Sequence, residues 1–370
     1  DVTGGTVAAN GVAGLSNLGA TVTVGSGGTV TTALLTQTGG SLTSSGTVTA
    51  DVFAQVAGAT KVTGGTFTTN TAATLTSGTF DVTGGTVAAN GVAGLSNLGA
   101  TVDIGAGGTL TTPLLTQVAG SLTSSGTVTA DVFAQVAGAT KVTGGTFTTN
   151  TAATLTSGTF DVTGGTVAAN GVAGLSNLGA TVNIGDGGTV TALLLTQAAG
   201  SLTSSGTVTA TAFAQTGGST TVTGGTFTAT LGGGLTGGTF DVKGGTAEMN
   251  GLGLVNTGAT VNVGAAGTLK GTLFTQTGGS TDNAGTMSIG GLTTVAGGTL
   301  TSSGTLTSTG FLQTAGGTTV TGGTFTSSIG GELAAGTFDV KGGTAEMNGL
   351  GLVNTGATVA ASCRPRAARP

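Results

Sequence analysis

The chain has no histidine, tryptophan or tyrosine, one cysteine, three prolines and only 6% charged residues. Without histidine, Ser-His-Asp triads, Cys-His pairs and most zinc sites are excluded. The eight basic residues form no stripe. A nucleic-acid binder, which must neutralise a row of phosphates, is therefore excluded as well. No apolar run approaches the ~20 residues of a membrane helix. No signal peptide is visible, although the chain starts at Asp1 without Met, inside a repeat. A single thiol, Cys363, cannot build a disulfide framework.

What is present is glycine, 77 of 370 residues, with Thr, Val, Ala and Leu making up most of the rest. Disordered chains are poor in apolar residues. Here 37% are hydrophobic and mean hydropathy is +0.39, enough to supply a core. The alphabet suits short strands interrupted by glycine.

The arrangement is repetitive. The segment Asp1-Val2-Thr3-Gly4-Gly5-Thr6-Val7-Ala8-Ala9-Asn10 returns unchanged at Asp81 and Asp161. Divergent copies start at Asp241 and Asp339, so three intervals of 80 residues precede one of 98. Within the first unit a Gly-Thr-apolar step falls at Thr6, Thr29, Thr47 and Thr66, then at Thr86. Unequal steps with a constant sum fit loops of varying length on a fixed coil. The longer unit holds an extra segment, from about Thr275 to Leu292, and its excess of 18 residues is close to one coil. Insertion by whole coils is what a solenoid requires, since a fraction would move every later strand out of register.

Thr47-Val48-Thr49-Ala50 and Thr66-Phe67-Thr68-Thr69 alternate with the period of a strand. Glycine every few residues argues against helix. These features predict an all-β fold, a parallel β-helix (β-solenoid) of about eighteen coils of about 20 residues. Each coil holds two or three strands. The expected solenoid is residues 1–359, in units 1–80, 81–160, 161–240 and 241–338 with a partial unit 339–359. One inward ladder is expected along Val7, Val30, Val48 and Phe67, and a second along Leu15, Leu35, Phe53 and Leu75.

No catalytic, cofactor-binding or metal-ligating residue emerges. A glycosidase needs two carboxyls within about 5–10 Å. Asp1, Asp81 and Asp161, Asp51 and Asp131, and Asp103 and Asp186 lie about four coils apart, and Glu248 and Glu346 about five. The acids read as solvated charges that discourage aggregation. The nearest approach to a calcium-roll motif, Gly185-Asp186-Gly187-Gly188, occurs once and in the wrong order. Gln37 and Gln55, Gln117 and Gln135, and Gln197 and Gln215 are each 18 apart and read as structural stacked amides. Cys363 stands among arginines and is no nucleophile.

The segments Val62-Thr63-Gly64-Gly65-Thr66-Phe67 and Val22-Thr23-Val24-Gly25-Ser26-Gly27-Gly28-Thr29-Val30 resemble the repeats of bacterial autotransporter passengers and filamentous-haemagglutinin-like adhesins. The resemblance covers nearly the whole chain, to about Val359. It implies a β-helical segment displayed outside a Gram-negative cell, associated with the outer membrane only through a translocator domain that this sequence does not contain. The expected function is a non-catalytic structural stalk or adhesin segment. The expected partners are host or surface glycans, matrix or other cells, with no nucleic acid and no cofactor, and the chain is expected to be a monomer. The alternative is an ice-binding solenoid. Thr29-Val30-Thr31, Thr47-Val48-Thr49 and Thr66-Phe67-Thr68 are similar to the Thr-x-Thr face of β-helical antifreeze proteins, although Thr6-Val7-Ala8 and Thr246-Ala247-Glu248 interrupt it.

From Asp339 to Val359 the chain copies Asp241 to Val261, then departs in mid-coil. Residues 360–370 hold all three arginines, two of the three prolines and the cysteine. They read as an irregular basic tail that does not pack on the solenoid, arising from a frameshift or fragment end, with a genuine tail as the alternative.

Overall fold

A computed structural model describes residues 1–361. The expected tail residues from 362 onward, with Cys363 and the arginines, lie outside the described residues, whereas 360 and 361 belong to the strand Thr358–Ala361. The described residues hold 35 strands and no helix. The pairings among them are parallel, and the chain winds as a solenoid of about 18 turns. It divides into two compact units, Asp1–Leu193 and Leu194–Pro370.

A typical coil in the first unit runs from Thr47 to Gly65. Its first strand and second strand are continuous over Thr47–Gln55, bending at Asp51, and the third is Ala59–Val62. Side chains alternate as a strand demands. Val48, Ala50, Phe53, Gln55, Thr60 and Val62 point in and are buried, while Thr47, Thr49 and Lys61 point out. The corners need glycine. Gly145 has φ +61°, and a Cβ there would overlap the carbonyl oxygen of Gly126 one coil below.

The first ladder is present as expected. Val7 pairs with Val30, Val30 with Val48, and Val48 with Phe67. All but Val7 are buried; Val7 lies in the first described coil, which has a neighbour on one side only. The second ladder is corrected at one position. Leu35 pairs with Phe53, but Phe53 pairs with Ala73, and Leu75 stacks on Gln55. The cause is corner length: one residue, Asp51, separates Ala50 from Val52, whereas Asn70 and Thr71 separate Thr69 from Ala72. The extra residue slides the second strand by one, which brings Ala73 instead of Ala72 beside Phe53, and Leu75 lies two places further along the same inward face.

Corner lengths also assemble aromatic clusters. Phe53, Phe67 and Phe80 come from a second, a first and a third strand, and their ring centroids lie 5.0, 6.0 and 6.0 Å apart. Phe133, Phe147 and Phe160 repeat this in the first unit. Phe213, Phe227 and Phe240, and then Phe311, Phe325 and Phe338, do so in the second. Edge-to-face pairs of this kind add to the burial they accompany.

The second unit fills one gap differently. Gly233 occupies the rank that holds Ala73 in the first unit, and Met249 stands where Ala89 does. Met249 Sδ lies 3.0 Å from where a Cβ on Gly233 would be, and Met347 repeats this at Gly331. The flexible thioether occupies the space the glycine leaves. In this unit the first strands begin at Thr246, Thr268, Thr286, Thr305 and Thr324 before the chain reaches Thr344. The 98-residue interval thus contains one coil more than the 80-residue interval from Thr86, Thr109, Thr127 and Thr146 to Thr166.

Candidate functional surface

Three kinds of side chain could act on another molecule: the outward threonines, the carboxylates and the buried amides. The threonines of the first strands are the most regular. In the first unit an unbroken outward rank runs Thr6, Thr29, Thr47, Thr66, Thr86, Thr109, Thr127, Thr146, Thr166, Thr189. Two residues on, a parallel rank is threonine except at Ala8, Ala88 and Ala168. Alanine shortens the hydroxyl grid at those coils but does not protrude from it. In the second unit the first rank is again all threonine from Thr207 to Thr344. Its companion rank is broken by Glu248 and Lys270, which form an ion pair at 3.2 Å, then by Ser288 and later by Glu346.

The aspartates stand on outward positions of the third strands and at corners, Glu248 and Glu346 on first strands and Glu332 on a second strand. Four of them meet an amide on the next coil. Asn70 donates to Asp51 at 3.0 Å, Asn150 to Asp131 at 3.1 Å and Asn183 to Asp161 at 2.7 Å. The spacing argument from the sequence compares equivalent acids of successive units and overlooks one pair. Asp81 and Asp103 are 22 residues apart, which is one coil, and they are direct partners on adjacent strands. Burial, and then the Asp103 carboxylate, push the Asp81 carboxyl above its ordinary value, and Lys61 on the preceding coil pulls it back. The pair sits on an outward strand face with Asp103 exposed. Among the described residues no group of three or more acidic or thiol side chains could hold a metal ion.

The glutamines are placed inward. Gln37 stacks on Gln55 and Gln117 on Gln135, all buried. The two glutamines of each pair do not bond each other as an amide ladder would. Gln55 Nε2 donates to the corner carbonyls of Ser77 at 3.0 Å and Thr79 at 2.9 Å, and Gln135 does the same at Ser157 and Thr159. The rank also contains Asn17 and Asn97, which the sequence reading passed over. Asn97 Nδ2 donates to Ala100 O, Gln117 Oε1 and Ser121 O, while its Oδ1 accepts from the N–H groups of Gly99 and Ala100. The signal was the repeated Leu-Ser-Asn-Leu-Gly-Ala, with an amide two residues before a corner glycine. Leu75 and Leu155 take two further places in this rank. These amides hold corners together and face no solvent.

An apolar notch in the second unit is lined by Leu292, Gly310, Phe311, Ile329, Glu332 and Leu350 among others. It exists because Gly310 has no side chain between Leu292 and Ile329. Its one carboxylate, Glu332, has no second titratable group beside it in the lining. Comparison with known proteins adds no relative: no family model, no curated protein and no solved structure matches the chain.

Proposed function

We propose that the chain is a non-catalytic structural stalk or adhesin segment of a secreted, surface-displayed bacterial protein of the autotransporter or filamentous-haemagglutinin kind. The observation that supports this reading is the sameness of the coils. Each coil covers its apolar side with the coils above and below, so coils can be added without changing any local contact. Length is then a selectable property that brings no new chemistry. The outward faces offer hydroxyls, amides and isolated carboxylates, which suit glycans or matrix. The membrane enters only through a translocator domain, and the chain acts as a monomer.

The unbroken threonine rank of the first unit favours a second reading, ice binding. Hydroxyls recur there at the strand-to-strand spacing of ~4.8 Å and, between ranks, at twice the rise per residue. One experiment separates the readings. Proteins lacking one or two whole units, 81–160 and 161–240, are compared with the full chain for binding to glycans and matrix proteins and for thermal hysteresis. A stalk gives no binding and no hysteresis at any length. An adhesin loses binding in steps with the number of coils. Hysteresis that grows with coil number would replace the stalk by an ice binder.

A further inference from the structure

The chain carries five Asn-Gly dipeptides, at Asn10, Asn90, Asn170, Asn250 and Asn348, each at the corner between a first and a second strand. The structure separates these five from every other asparagine among the described residues. Asn17, Asn97, Asn177, Asn256, Asn283 and Asn354 donate from Nδ2 to corner carbonyls or neighbouring side chains. Asn70, Asn150, Asn183 and Asn262 are each held by a carboxylate. The five before glycine are exposed, and among the described residues their carboxamides bond to nothing. Nor do the N–H groups of Gly11, Gly91, Gly171, Gly251 and Gly349 donate to any acceptor, although residues on either side of them do: Asn90 N bonds Thr69 O, and Gly94 N bonds Gly91 O. Glycine is obligatory at two of these corners, because a Cβ on Gly91 or Gly171 would overlap the backbone of Thr71 or Thr151.

We propose that these corners are self-modifying sites, at which the asparagines deamidate in the folded protein to aspartate and isoaspartate. The nitrogen of the following glycine attacks Cγ of the asparagine. A C–N bond forms, the Cγ–Nδ2 bond breaks, and ammonia leaves with the proton from the glycine nitrogen. Water then opens the cyclic imide at either carbonyl. No oxidant, metal or partner is needed. A free nucleophile, an unbonded electrophile and no side chain on the glycine are the three conditions of the reaction, and all are met at these corners and at no other asparagine described. The product adds one negative charge per corner, carrying the net charge from −5 toward −10 when all five react. In the first unit the added charges recur once per 80 residues along one edge, so older molecules repel one another more strongly than new ones.

The full chain, incubated in neutral and in mildly alkaline buffer, is followed by peptide mass mapping and by isoaspartyl methyltransferase labelling. A synthetic peptide of residues 87–94 serves as the clock. The expected result is conversion confined to the five corners, no more than about tenfold slower than in the peptide, as for exposed segments whose opening costs almost nothing. The folded corners lagging the peptide by more than that, or Asn70 or Asn97 converting as fast as Asn90, overturns the proposal.

Discussion

Phe147→Ala lowers the stability of the chain by about 3–5 kcal/mol, the range for removing a fully enclosed aromatic ring from a core. Phe147 is completely buried, and its ring meets Phe133 at 5.0 Å edge-to-face and Phe160 at 6.2 Å. Its own rank offers only Val128 and Val167 to close the gap, and both are β-branched and fixed by their strands. Phe147→Leu keeps most of the volume and costs less than half as much. The effect is local as well as large. In a stack where each coil touches only its neighbours, a weak interface opens before the rest. Native-state hydrogen exchange should therefore show protection falling first in residues 127–167, with residues 29–55 little changed. Uniform loss over the unit would mean that its coils do not behave as neighbour-coupled elements.

The second large effect is expected at a polar residue. Asn97→Leu destabilises by about 2–4 kcal/mol even though leucine is the residue this rank accepts at Leu75 and Leu155. The replacement fills the space but leaves the N–H groups of Gly99 and Ala100 and the Oε1 of Gln117 without partners. Asn97→Asp costs more. The carboxylate keeps the two N–H bonds but turns a buried donor into a charge facing Gln117 Oε1 and the carbonyls of Ala100 and Ser121. Thermal unfolding of the two variants beside wild type gives the order. Equal melting temperatures for Asn97→Leu and wild type would mean that water already serves these corner groups.

Stacking order was the part of this fold most legible in the sequence. A Gly-Thr-apolar step that repeats once per coil places Val30, Val48 and Phe67 above one another whatever the corners do, because the step itself sits at the start of a strand. The same logic made the longer interval readable as one added coil. Relations across the coil were not legible, since they depend on corner length. One extra residue, Asn70 with Thr71 against Asp51 alone, put Ala73 in the ladder where Leu75 was expected. The phenylalanine triads are invisible for the same reason: Phe133, Phe147 and Phe160 lie on three different strands. The candidate surface divided in the same way. The threonine ranks were visible as alternation, and the structure showed that the interruptions at Ala8 and Glu248 affect only the companion rank. The Asp81–Asp103 pair was missed because acids were compared between units and not between coils. The asparagine caps were missed because an amide before a corner looks like a surface residue until the corner is seen to close over it.

The most direct test of the stacking account removes part of the stack. Thr286 pairs with Thr305, and Asn283 with Ser302. Excising residues 286–304 therefore takes out one whole turn and joins Gly285 to an equivalent strand start. Excising 286–294 removes about half of a turn and displaces every later strand from its rank. The account predicts that the whole-turn deletion unfolds cooperatively, with strand content by circular dichroism reduced only by the turn removed. The half-turn deletion should lose ordered structure through residues 295–361. A half-turn deletion as stable as the whole-turn one would contradict the account, because the ranks of side chains would then not be what holds the coils together.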